Sequence, residues 1–189
     1  MRDYQILLDL VRQNYANVIC SHKTQEIQAN LYSKKYHFFG NLNIICATLT
    51  LGSVFALLFN PGNLYLLIFT SLIAFVTLGI TAYLKFYDLG SLVLRHKNSA
   101  TEFLMIRNDF LDLIAKIHIH KVSVETLNEK YNSIMNKYNE AYMDAPMASK
   151  KAEKQASEVL NMSKDFTYAN QEIDSFLPSE LKGELEVEE

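Results

Sequence analysis

The chain has 189 residues, with 18 basic and 21 acidic side chains and a formal net charge of −3, a balance that excludes a protein holding nucleic acid mainly by its positive field. Mean hydropathy is close to zero, yet no Asp, Glu, Lys or Arg occurs in the 49 residues between Lys35 and Lys85. An uncharged stretch of that length excludes an ordinary soluble domain.

Taken from the N-terminus, Tyr4, Leu7, Leu8, Val11, Tyr15, Val18 and Ile19 recur at helical spacing, with Arg12, Gln13, Asn14 and Asn17 between them. This pattern predicts an amphipathic helix over residues 4–35, within an N-terminal cytoplasmic segment 1–37. The polar turn around Ser21, His22, Lys23 and Gln25 is a place where it could break or meet an interface. His22 and His37 read as packing or interface residues.

Residues 38–86 then read as a transmembrane hairpin. The first span, residues 42–59, rises about 27 Å as a helix, close to the roughly 30 Å of a bilayer's hydrocarbon layer. Asn60-Pro61-Gly62-Asn63 supplies a helix stop and a turn, and residues 64–84 form the second span. Lys34 and Lys35 precede the first span and Lys85, Arg95, Lys97 and Arg107 follow the second, while the loop is uncharged. The positive-inside rule therefore predicts a multi-pass protein with both termini cytoplasmic, and the basic flanks Lys34, Lys35 and Lys85 either set topology and meet lipid headgroups or raise the local anion concentration at a cytoplasmic pore mouth. An apolar run that begins so far into the chain is expected to anchor it rather than to be cleaved.

Within the spans, Thr48, Gly52 and Ala56 repeat every four residues, and Thr70, Ala74, Thr77 and Thr81 place small or hydroxylated groups along one side of the second helix. Small residues allow close backbone approach in lipid and hydroxyls can bond across helices, so these faces serve packing inside the hairpin or line a pore formed by several hairpins. No charged group lies in either span for a proton relay, voltage sensor or coupled carrier.

After the second span the apolar side of Leu89, Leu92, Val93, His96, Ala100, Phe103, Phe110, Leu113, Ile114 and Ile117 predicts that the helix continues through Ile119 without a stop, into a cytoplasmic helical domain 87–177. Ser123 is the expected N-cap of the next helix. There Val124, Leu127, Tyr131, Ile134, Tyr138 and Ala141 alternate spacings of three and four, a coiled-coil-like seam whose partner is either the preceding helix of the same chain or another subunit. Pro146 ends that helix. Ala148, Ala152, Ala156, Val159, Met162 and Phe166 restart an apolar stripe, the last helix ends near Phe176 or Leu177, and an acidic tail 178–189 follows.

No HExxH, CxxC, GxSxG, P-loop or dinucleotide fingerprint occurs, so no catalytic residue, metal or cofactor is expected, and the chain is not expected to be an enzyme. His118 and His120 do not share a helical face, the pairs Asp109/Asp112 and Glu125/Glu129 read as solvated helix faces, and Cys20 and Cys46 give no disulfide framework. The fold expected is an all-α membrane protein: a two-helix transmembrane hairpin with long cytoplasmic helical extensions and coiled-coil-like packing.

Three stretches carry a family likeness. YSKKYHFFGNLNIICATL approaches the first span with basic and aromatic residues, LVLRHKNSATEFLMIRNDFLDL leads from a basic and histidine-bearing turn into a helix, and EKYNSIMNKYNEAYMDAP is a Tyr-rich helix ending near a proline. Over about residues 4–150 this order resembles the SLATT family, two-transmembrane effector domains associated with nucleotide-sensing bacterial conflict systems. The resemblance implies a homo-oligomeric, pore-forming or membrane-disrupting antiphage effector that causes ion leakage and growth arrest or death. It implies membrane lipid and a separate nucleotide-sensing or signal-generating defence protein as partners, with no direct nucleic-acid binding. A non-conducting scaffold that recruits a cytoplasmic partner is the alternative, and a holin-like permeabiliser a third reading.

Overall fold

Proline is absent from the first 60 residues, and the chain uses that freedom for one unbroken helix, α1 (Arg2–Phe59), of 58 residues. The computed structural model describes residues 2–161 and 168–183, and every regular element among them is helical. The polar turn around Ser21 and Gln25 does not interrupt α1. Pro61 does end it, because the residue before a proline is driven out of the α region, and α2 (Leu64–Tyr87) starts at Asn63, whose side chain accepts from the Leu66 amide at 3.1 Å. The elements that follow are α3 (Leu89–Ile119), α4 (Val124–Asp144), α5 (Lys150–Leu160), α6 (Asn170–Asp174) and a 3₁₀ turn at Ser179–Leu181.

The helix expected to run unbroken from the second span to Ile119 is interrupted by one residue. Asp88 has φ 41° and ψ 52°, a left-handed conformation that Asp tolerates better than most residues. Its side chain then accepts from the Ser91 amide and its carbonyl from the Leu92 amide, which restarts the helix as α3. Hydrophobic spacing passes straight through such a break and therefore missed it.

The described residues fall into two units, one of Ala29–Leu94 and one drawn from Met1–Gln28 with Arg95–Glu189. In the second of these, the start of α1, most of α3, and α4 share one core. Leu8, Val11, Val18, Phe110, Leu113, Ile114 and Ile117 are fully buried in it, together with Leu127, Ile134 and Ala141 of α4. Each such aliphatic or aromatic side chain contributes about 1.5–3 kcal/mol on leaving water. The seam of α4 is thus turned into the chain's own core: Tyr131 lies against Phe110 and Tyr138 against Phe103, at centroid distances of 6.4 and 6.0 Å. Val124, at the start of the seam, is half-buried.

Ser123 caps α4, accepting from the Thr126 amide. Asp109 and Asp112 do lie at the surface, and each pairs with α4, Asp109 with Lys137 at 2.9 Å and Asp112 with Lys130 at 2.5 Å. Arg12, expected on the polar side of α1, is instead buried and bonded to Asp174.

The final apolar stripe is also different from expectation. Ala152 and Ala156 are buried but Val159 is exposed, and α5 stops at Leu160 because Asn161 adopts the left-handed region at φ 53°. The last helix is only the five residues of α6, although Leu177 and Pro178 do follow it as the chain leaves the helical run. Met162, Phe166 and residues 184–189 of the acidic tail lie outside the described residues.

Candidate functional site

The unit Ala29–Leu94 is the apolar hairpin, and its surface is unlike that of a folded soluble protein. An 18-residue window in α1 has mean hydropathy 2.1 and is 6% buried; the helical stretch beginning at Leu64 has a window of 2.2 that is 11% buried. Both helices are therefore long and apolar enough to cross a membrane, and neither is covered as a core helix of a soluble protein would be. Leu51 and Phe75 are 72% and 76% exposed.

What little is shielded follows a strict rhythm. Between Asn43 and Leu57 of α1 the half-buried or buried positions are Asn43, Cys46, Thr50, Ser53 and Leu57. From Leu66 to Ile80 of α2 they are Leu66, Thr70, Ile73, Thr77 and Ile80, with Tyr83 and Leu84 following. Spacings of three and four alternate along both, the pattern of two helices packed along a seam. On the α1 side the seam is lined by Cys46, Thr50 and Ser53, small or hydroxylated residues that let the backbones approach, and α2 sets Thr70 and Thr77 between Leu66, Ile73 and Ile80.

The small-residue face read from the sequence is a different one. Thr48, Gly52 and Ala56 are exposed, and a Cβ added at Gly52 would meet nothing within 4 Å. In α2 the expected face divides: Thr70 is buried and Thr77 half-buried in the seam, while Ala74 and Thr81 are exposed. Cys46, Thr50 and Ser53 escaped the sequence reading, because a run that is apolar all round carries no signal for which side meets a helix and which meets lipid.

The hydroxyls obey the rule that polar groups in hydrocarbon must be satisfied from within. Thr48 donates to the Ile44 carbonyl, Thr50 to Cys46, Thr70 to Leu66 and Thr77 to Ile73, all at 2.8–2.9 Å and four residues back. Thr81 is shared between the Thr77 carbonyl at 2.9 Å and Asn43 Oδ1 of the other helix at 3.1 Å.

One end of the hairpin has an aromatic and basic collar. Phe39, Tyr83 and Tyr87 form a chain of ring contacts, Phe39 to Tyr83 at 4.9 Å and Tyr83 to Tyr87 at 4.7 Å. Lys34, Lys35 and Lys85 stand exposed beside them in sequence. Tyr and Lys at a helix end match the headgroup layer, where a ring's apolar body and a cation's polar head are both accommodated.

In the other unit a buried polar network joins three segments. Gln25 Nε2 donates to the Pro146 carbonyl at 3.0 Å, so its Oε1 faces His96 and accepts from Nδ1 at 2.5 Å. Gln28 Oε1 accepts both the amide and the hydroxyl of Ser149, at 3.0 and 2.6 Å, while Ser149 Oγ caps α5. Burial lowers the His96 pKa and holds the imidazole neutral. Gln25 and Ala29 continue the three-and-four spacing of Leu8, Val11, Tyr15 and Val18, and that register was the available signal.

Among the described residues no three of His, Cys, Asp and Glu come together as a metal site, and Cys20 and Cys46 are free thiols. The sequence profile of the SMODS and SLOG-associating 2TM effector domain family 4 matches residues 7–172, which takes in the hairpin and nearly all of the helices around it. No curated protein and no solved structure matches the chain.

Proposed function

From its membership of the SMODS and SLOG-associating 2TM effector domain family 4, to which the chain belongs, we propose that this protein is an oligomeric membrane effector of bacterial antiphage defence that opens a leak when a separate signalling partner triggers it. In this reading Ala29–Leu94 spans the cytoplasmic membrane twice. Lys34, Lys35, Lys85, Arg95 and Lys97 flank the spans and the loop at residues 60–63 carries no charge. Both termini and the helical domain are then cytoplasmic.

The observation that carries the reading is the uncovered face of Thr48, Gly52 and Ala56, on the side of α1 that the hairpin's own seam leaves open. Between helices in lipid, small residues every four positions favour close approach of a second helix, and here that helix belongs to another copy of the chain. A ring of such hairpins can enclose a water-filled path that a single hairpin cannot.

Liposomes loaded with potassium and carrying the purified chain test this. Leakage should rise with protein density more steeply than in proportion, and Gly52→Leu should abolish it while leaving the hairpin folded, since the added Cβ meets open space. A protein that assembles yet stays impermeable with every partner supplied sinks the pore and leaves the non-conducting scaffold.

A further inference from the structure

The helical unit contains a cavity of about 480 Å³ with a marked chemical asymmetry. His22 and Lys23 of α1 and Arg107 of α3 line it, and no Asp or Glu is among the described residues that line it. Leu111 and Phe176 furnish apolar wall. Its volume falls in the range of small-molecule sites, about 300–1,000 Å³.

The backbone explains why these three nitrogen-bearing side chains converge. Tyr4 stacks near His120 at 5.0 Å and Gln25 bonds His96, so α1 and α3 run antiparallel. Helical side chains lean toward the N-terminus of their own helix. Arg107 therefore leans along α3 toward the level of Ile19, and His22 and Lys23 lean along α1 toward the same level from the opposite direction. Leu111 stands one turn beyond Arg107 on the same face. Phe176 is fixed there by its carbonyl, which accepts from the Tyr15 hydroxyl at 3.1 Å.

Among the described residues the charges are incompletely answered. Lys23 pairs with Glu26 at 2.9 Å. Arg107 reaches only the neutral Asn108 side chain, at 3.4 Å, and its Nε is buried without a hydrogen-bond partner among the described residues. A buried guanidinium nitrogen left unpaired is costly, and no carboxylate among the described residues pairs with the Arg107 guanidinium, so its charge is left for an anion in the cavity to answer. The hydroxyls on the wall are already committed, Tyr15 to Phe176 and Ser175 to the Glu172 carbonyl at 2.6 Å, so the cations provide the recognition.

We propose that this cavity binds a small organic phosphate, its phosphoryl group held by Arg107, Lys23 and His22 and its apolar or aromatic body lying against Leu111 and Phe176. Three nitrogen-bearing groups suit the dianionic, multi-acceptor head of a phosphate ester, and the adjoining apolar wall disfavours bare phosphate. As the signal that acts on the effector proposed above, such a ligand rests on that reading for its role, though not for its binding.

The test uses the full chain in maltoside micelles, which contain no phosphate, with phenyl phosphate as the probe and its ³¹P linewidth as the readout. Saturable broadening is expected in the unmodified protein. Arg107→Gln should weaken it about tenfold or more, equivalent to about 1.4 kcal/mol, Lys23→Gln should weaken it several-fold, and Lys97→Gln, on the exposed side of α3, should leave it unchanged. Circular dichroism verifies that each variant keeps its helices, and Lys23→Gln, at the surface, keeps the test open if Arg107→Gln does not fold. Absence of saturable broadening overturns the proposal, as does indifference to both Arg107→Gln and Lys23→Gln, or binding of inorganic phosphate as tight as that of phenyl phosphate. Ion leakage is measured separately: a chain that conducts without binding the probe overturns only the ligand, and one that binds it but never conducts overturns only the pore.

Discussion

Arg12 and Asp174, 162 residues apart in sequence, meet in an ion pair of 2.5 Å in which the guanidinium is almost fully buried and the carboxylate is 26% exposed. The same guanidinium donates to the Gly183 carbonyl, and the Gly183 amide donates to Asp174 at 3.2 Å. The C-terminal segment is thereby fastened to the first turns of α1. Asp174→Ala leaves a buried cation unanswered and should destabilise the helical unit by about 2–4 kcal/mol, toward the lower side of the range for a buried pair because the carboxylate is partly wet. Arg12→Met should cost less than Asp174→Ala, since it removes the charge with its site. Thermal melts of the two variants in detergent check the order; equal losses would point to mutual Coulomb attraction alone, and the reverse order to the further bond of Arg12 with the Gly183 carbonyl outweighing the cost of an unanswered cation.

Burial lowers the pKa values of His22, His96 and His118, so the unfolded chain takes up protons first as pH falls. Stability is intact above the ordinary histidine value of 6.5 and declines below it, until the folded imidazoles protonate in turn. The melting temperature should thus drop between about pH 7 and pH 5. His96→Gln should flatten part of this slope, because it removes one of the three groups. An unchanged slope in that variant would place the acid sensitivity elsewhere.

Thr81 and Asn43 make a side-chain hydrogen bond from one arm of the hairpin to the other. In a bilayer such bonds contribute about 0.6 kcal/mol and at most about 1.7. Thr81→Val should accordingly weaken the hairpin by no more than that, as measured by unfolding under steric trapping in bicelles. Ser53→Phe, which inserts a large ring into the seam, should weaken it more. Equal losses would mean that the seam is not close-packed.

Asp112 accepts from both Lys116 and Lys130, and these hydrogen bonds lower its pKa. The contribution is present above the ordinary carboxylate value of 3.8 and is lost as pH falls through the depressed one. The site is open to water, so Asp112→Asn should cost only about 0.2–1 kcal/mol at neutral pH, and added salt should erase most of the difference. Chemical denaturation at two urea-compatible ionic strengths measures it.

Much of the architecture could be read from the chain because its punctuation is made of strong local signals. Pro61 and Asn63 separate α1 from α2, Ser123 opens α4, and Pro146 closes it. The breaks at Asp88 and Asn161 were not legible: each is a single left-handed residue within otherwise continuous periodicity, and many such residues sit in ordinary helices. Arg12 was placed on the polar side because its partner is 162 residues away. The α1 side of the hairpin seam was missed for another reason, while Thr70 and Thr77 of its α2 side were read correctly. Thr48 lies two residues from both Cys46 and Thr50, about 200° around the helix, and spacing alone does not say which of two small-residue faces meets the neighbouring arm.

The direction of the hydroxyl bonds has a further consequence. Thr48 gives its hydrogen to Ile44, and Thr81 gives its own to Thr77 and Asn43. A hydroxyl whose proton is engaged inward turns lone pairs outward. At Thr48, on the face proposed to take a second copy, that oxygen is an acceptor for the neighbouring helix; at Thr81, outside that face, it would offer any water-filled path an acceptor in place of a donor, the chemistry that substitutes for the hydration shell of a cation and offers nothing to chloride.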